Sequence, residues 1–150
     1  MDLNKTQLIQ ACEQWLEERK KGLLQAQAAV DESLGGAVKS SAGDKHNTER
    51  AHLQLQAEKL GQQFKALDAQ RSLLSRVQLD SKSDRIHLGS LVITDQQKYF
   101  IAIAAGPIII NDETVFVIAP QSPIGKLLLG KPVGDTLEWN RQNQRIVQII

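Results

Sequence analysis

A chain of 150 residues suffices for one ordinary domain or two small ones, and its 41% hydrophobic and 23% charged residues mark it as a sequence that buries a core rather than remaining disordered. Lys and Arg number 18 against 17 Asp and Glu, a formal net charge of +1, which excludes a basic field for sequence-independent DNA coating and an acidic solvating tail; any nucleic-acid role is local. The single cysteine, Cys12, excludes an internal disulfide framework, MDLNKTQLIQ lacks the apolar core of a signal peptide, and no apolar run approaches the roughly 20 residues of a membrane span, so a cytoplasmic protein with no membrane partner is expected.

From Lys5 to Val77 there is no proline, the composition is rich in Gln, Ala, Leu, Glu and Lys, and the apolar residues recur at helical spacing. Ile9, Leu16, Leu23 and Val30 repeat every seven residues, with Cys12, Arg19 and Ala26 between them; Leu53, Leu60, Leu67 and Leu74 do the same, with Ala57, Phe64 and Arg71 between them. Two antiparallel helices require facing positions with a constant index sum, and Val30 with Leu53, Leu23 with Leu60, Leu16 with Leu67 and Ile9 with Leu74 satisfy it. The expectation is an antiparallel coiled-coil hairpin over residues 1–78, each arm on the order of 45 Å long. Charge at Arg19 and Arg71 weakens the seam, so the hairpin needs an anchoring domain or an enclosing partner.

The centre of that symmetry falls between Ser41 and Ala42, which puts the tip near residues 35–47. Gly35, Gly36 and Gly43 supply permissive backbone for a reversal, and Asp44 or Asn47 suits an N-cap for the returning helix. Asp44 has two readings: a cap, or a deliverable oxygen ligand for Mg2+, a hard cation that often takes only one or two protein carboxylates. Asn47 and Thr48 share its helical face, whereas Glu49 lies roughly 140° away and contributes only if the first turn is loose. Arg19, Lys20 and Lys21 form a basic patch on the first arm and Lys39, Lys45 and Arg50 surround the tip; solvated helix faces and phosphate guidance both account for them. His46, His52 and His87 lack partners at zinc-like spacing and read as solvated or structural.

After LDSKSD (Leu79 to Asp84), a polar linker, the periodicity changes to that of strands. SLVITDQQKYFIAIAAG reads as two strands around a polar turn, ETVFVIA as another, and DTLEWNRQNQRIVQII as a terminal hairpin turning at Asn140 to Gln144. Between them SPIGKLLLGKPVGD has the composition of one short amphipathic helix bracketed by Pro123, Gly130, Pro132 and Gly134. Residues 79–150 thus form a small antiparallel β domain with one helix, and the fold class is α+β. No nucleophile with a base, metal-ligand cluster or phosphate-cradling loop occurs at productive spacing, so the chain is not expected to be an enzyme in its own right.

The Ser122-Pro123-Ile124-Gly125-Lys126, Leu128-Leu129-Gly130-Lys131 and Val133-Gly134-Asp135 pattern resembles the C-terminal, FKBP-like domain of the bacterial Gre transcript-cleavage factors, and the similarity extends over the whole chain: helical hairpin, a tip with Gly43-Asp44 and a downstream His52, linker, second domain. The resemblance implies a transcription elongation factor that binds bacterial RNA polymerase, inserts the hairpin in the secondary channel, contacts nascent RNA only indirectly, and stimulates cleavage of backtracked RNA with no small-molecule substrate. It implies an Mg2+ shared with the polymerase, held in part by Asp44, and docking residues Ser122, Pro123, Ile124 and Gly125, which read equally well as a helix-start turn. The family tip places Asp and Glu three residues apart; here the second position is Asn47, a neutral oxygen ligand, with Glu49 as a substitute acid. A secondary-channel regulator with little or no cleavage activity is the alternative. Prolyl isomerisation, which needs an aromatic cluster, is disfavoured by a second half with only Tyr99, Phe100, Phe116 and Trp139.

Overall fold

The computed structural model describes residues 4–39, 43–80 and 82–150, and their side chains except at 37–39 and 43–46. Two long helices come first, α1 (Lys5–Lys39) and α2 (Gly43–Ser75). Asn4 opens α1 as its cap: its side-chain oxygen accepts from the Thr6 N–H at 2.8 Å and its carbonyl from Leu8 N–H at 3.1 Å. In α2 the expected stripe of Leu53, Ala57, Leu60, Phe64, Leu67, Arg71 and Leu74 is buried or half-buried throughout. In α1 the stripe holds at Ile9, Cys12, Leu16, Leu23, Ala26 and Val30, but Arg19 is exposed and Lys20 is half-buried in its place. Lys20 and, in α2, Arg71 are both half-buried, and a long basic side chain can lie along an apolar seam with its charge in water.

Two expectations at the reversal are corrected. Gly35 and Gly36 do not end α1, which runs on to Lys39; glycine costs a helix roughly 1 kcal/mol but does not forbid it. Asp44 and Asn47 are not caps, because α2 is already helical at Gly43; Asp44 sits in its first turn, where an acid suits the positive helix end. The symmetry centre at Ser41 and Ala42 lies outside the described residues, as does Ser81 of the linker.

The second half is a six-stranded sheet with one short helix, so the chain is α+β. The strands are β1 (Leu91–Thr94), β2 (Lys98–Ile101), β3 (Gly106–Ile110), β4 (Glu113–Ile118), β5 (Thr136–Trp139) and β6 (Gln142–Ile149), ordered β3-β4-β2-β1-β6-β5, with α3 (Pro123–Leu128) between β4 and β5. The sheet is mixed rather than wholly antiparallel: β2 and β4 run parallel, pairing Tyr99 with Phe116 and Phe100 with Val117. β3 is an additional strand, and its place at the sheet edge is where Pro107 is tolerated. It joins β4 through Asn111-Asp112, with φ of 52° and 63°, a two-residue turn matched to strand twist. The terminal hairpin turns the same way at Asn140-Arg141, shorter than the expected Asn140 to Gln144, so Gln142 and Gln144 belong to β6.

The pleat sends alternate residues to opposite faces. On one face Val92, Tyr99, Ile101, Leu137 and Ile146 pack with Ile86 and with Ile124 and Leu128 of α3. On the other, Leu91, Phe100, Val115 and Val117 are equally without solvent. By contact the chain divides into Met1–Trp15 with Gln70–Ile150, and Leu16–Ala69. Leu8 and Cys12 of α1 are 0% exposed, and the start of α1 and the end of α2 belong to the same unit as the sheet. There Gln70 Oε1 accepts from the Ala104 N–H at 2.9 Å, tying the end of α2 to the loop after β2.

Candidate functional site

Helical geometry fixes how the tip residues relate. With α2 regular from Gly43, position 47 lies about 60° around the axis from position 44 and position 48 about 40°, whereas position 49 is about 140° away. The loose first turn that would bring Glu49 beside Asp44 is therefore not found in the backbone. Asn47, Thr48, Glu49 and Arg50 are all exposed. The side chains of Asp44, Lys45 and His46 lie outside the described ones. His52 is exposed, with its Nε2 at 3.4 Å from Gln56 Nε2 one turn on. Among the described residues no group of three or more His, Cys, Asp or Glu is placed to hold a metal ion. Positions 44, 47 and 48 of that face carry oxygen-bearing residue types, Asp, Asn and Thr.

His87 belongs to the other unit of the chain. Its Nδ1 lies 3.2 Å from the Arg85 carbonyl and 3.0 Å from Ser90 Oγ, while Nε2 is buried without a hydrogen-bond partner. Placing the proton on Nδ1, donated to the Arg85 carbonyl, leaves only an acceptor unmet, which costs less than a stranded N–H.

The start of α3 is built residue by residue. Ser122 is the cap: its Oγ accepts from the Gly125 N–H at 3.1 Å and donates to the Ala119 carbonyl at 2.7 Å. Pro123 occupies the first helical position, where its missing N–H costs nothing. Ile124 is buried in the core, and Gly125 is buried because the helix presses against the Ala119-Pro120 backbone, leaving no room for a Cβ. Of the four expected docking residues only Pro123 is exposed; Ser122 is half-buried and the other two are buried. Sequence reasoning missed the apolar side chains that α3 and its exit leave in solvent, Leu127 and Leu129 at 38% exposure and Val133 at 54%. Their signal was available: an amphipathic helix of six residues can bury only one stripe, and Ile124 with Leu128 already fills it.

These elements define an α+β protein in which a two-helix N-terminal segment carries an acid at the start of its second helix and a mixed sheet carries a serine-capped helix. No protein-family model matches the sequence, and no curated protein matches it. Among solved structures the chain is similar to the transcription factor Gfh1, with 22% identity, 94% of this chain and 92% of that one covered, and a TM-score of 0.35. It is also similar to GreA factor homolog 1 of Thermus thermophilus, with 20% identity, coverage of 95% and 94% and a TM-score of 0.36, and to Gfh1 of Thermus aquaticus, with 22%, 93%, 92% and 0.34.

Proposed function

We propose that this chain is an accessory transcription factor that binds bacterial RNA polymerase and brings the start of α2 to the polymerase active centre through the secondary channel. The observation that carries the reading is a pair of long helices, of 35 and 33 residues, with Asp44 in the first turn of the second. Helices of that length reach on the order of 50 Å, enough to carry a side chain into a deep centre from outside. The Ser122-Pro123-Ile124-Gly125 start of α3, a helix that leaves Pro123, Leu127 and Leu129 exposed, is the docking element of the same reading.

In this reading the polymerase owns the reaction, and the factor is not an enzyme alone. Asp44, with the Asn47 carbonyl beside it, would hold an Mg2+ shared with the polymerase; such an ion activates water and stabilises the oxygens of phosphodiester hydrolysis. Asn47 brings no charge, so ion retention is weaker than with two acids, and Glu49 on a different face does not replace it. The second reading, a secondary-channel regulator that occupies the pore with little cleavage, is favoured by that same neutral residue. Purified, backtracked elongation complexes separate the two. Mg2+-dependent RNA shortening that falls at least about tenfold in Asp44→Ala supports cleavage. Binding without shortening selects the regulator, and absence of binding removes both.

A further inference from the structure

The two edges of the sheet differ. β5 carries the exposed acid Glu138, the kind of side chain that discourages another strand from pairing there. β3, at the other end, reads Gly106-Pro107-Ile108-Ile109-Ile110 and holds no charge. Its burial alternates, and Ile109 is 73% exposed, more than any other large apolar side chain among the described residues.

The register fixes what the backbone of that edge offers. A two-residue turn closes on a hydrogen-bonded pair, here Ile110 with Glu113, and bonded and non-bonded pairs alternate along an antiparallel ladder. Gly106, Ile108 and Ile110 therefore bond to β4, while the N–H and C=O of Ile109 and the C=O of Pro107 point away from the sheet. Pro107, opposite Phe116, falls at a non-bonded position, where its missing N–H leaves no gap in the ladder. The edge is thus reduced to a single donor, on Ile109, between two acceptors.

We propose that β3 pairs antiparallel with β3 of a second copy of this chain, about a two-fold axis at Ile109. On that axis each Ile109 N–H donates to the Ile109 C=O of the other copy, so one contact satisfies the donor and its neighbouring acceptor on both chains. The two Ile109 side chains then lie side by side on one face and cover each other. Charge selects this occupant and this direction. In the antiparallel register Asp112 and Glu113 of one copy lie opposite Gly106 and Ala105 of the other, so no like charges meet. A parallel pairing in register would set Asp112 beside Asp112 and Glu113 beside Glu113. Association closes at two copies, because the edge left over is the one that carries Glu138. A single strand pair buries far less than the roughly 1,200–2,000 Å2 of stable complexes, so the dimer forms only at high protein concentration.

The pairing does not rest on the polymerase reading. Sedimentation equilibrium of the full-length protein from about 10 to 1,000 μM should show an average mass that rises from 16.6 kDa toward twice that value. Ile109→Lys sets like charges opposite each other on the axis and should weaken association at least about tenfold, with the circular dichroism of the exposed-site variant unchanged. Under mild oxidation Ile109→Cys should form an interchain disulfide, since bonded pairs stand about 5.5 Å apart at Cα, within disulfide reach; the buried Cys12 does not compete. Thr114→Cys, exposed on the neighbouring β4, is the control: the two β4 strands would stand about 14 Å apart, three strand spacings, and it should not link. A native chain that stays monomeric throughout, an Ile109→Lys variant that associates as the native chain does, or Thr114→Cys linking as readily as Ile109→Cys overturns the proposal.

Discussion

Gly125 and Gly35 are one residue type in opposite situations. A Cβ on Gly125 would collide with the Ala119 carbonyl oxygen and come within 2.8 Å of the Pro120 oxygen, both backbone atoms that cannot swing aside. Gly125→Ala should therefore lower stability by at least ~2 kcal/mol in urea unfolding, as overpacking against a fixed wall does. Gly35 meets nothing within 4 Å and lies inside α1, so Gly35→Ala should raise stability by about 0.5–1 kcal/mol in the same measurement. Before the structure these glycines read the other way, Gly35 as a break and Gly125 as a docking residue; composition marks a glycine but not whether space or backbone angle requires it. Cys12 carries a second prediction. Burial, with a smaller contribution from Glu13, pushes its thiol from the ordinary 9.0 up to about 12. The folded state thus keeps a proton that the unfolded chain gives up, and the associated stability is whole below pH 9 and declines from there toward 12. Denaturant midpoints across that range should fall more steeply for the native chain than for Cys12→Ala, and the folded thiol should resist alkylation at pH 8.

Among the elements, α1 and α2 were legible because seven-residue spacing states a helix and its buried stripe at once, and Leu53 through Leu74 hold that stripe without exception. The single departure is Arg19, which is exposed while its neighbour Lys20 is half-buried, an exchange that seven-residue spacing does not encode. The sheet was legible strand by strand but not in its pairing: Phe100 and Val117 are 17 positions apart and meet in parallel, a contact no local pattern encodes. β3 was hidden because Pro107 and an unbroken Ile108-Ile109-Ile110 run lack the alternation of a half-buried strand, and the strand sits on an edge with Ile109 73% exposed. The helical start of α2 yields the prediction at this scale. Asn47→Glu places a second carboxylate three residues from Asp44, on its face. In backtracked polymerase complexes it should raise Mg2+-dependent RNA cleavage on the order of tenfold at limiting Mg2+, since ligand charge tunes divalent affinity. Thr48→Glu, also on that face, is the positional control, and Glu49→Gln should change little because position 49 lies off it.

At the scale of the whole molecule, each unit has its own physical logic. The sheet unit buries residues on both faces, one of them packed with Ile124 and Leu128 of α3, and Phe100→Ala on the other should cost about 3–5 kcal/mol. The helical unit, Leu16–Ala69, buries little beyond its stripe among the described residues, and Asn47 and Glu49 are exposed. A function for those residues therefore has to come from what the helix ends meet. The proposed meeting place is the polymerase active centre, and position 47, exposed and one turn into α2, reports on it directly. A photoreactive side chain introduced at Asn47 in the full-length protein, irradiated in a purified elongation complex, should crosslink to polymerase segments lining the active centre or to the transcript 3′ end. Crosslinks confined to the polymerase exterior, or none despite stable binding, would contradict delivery of the tip.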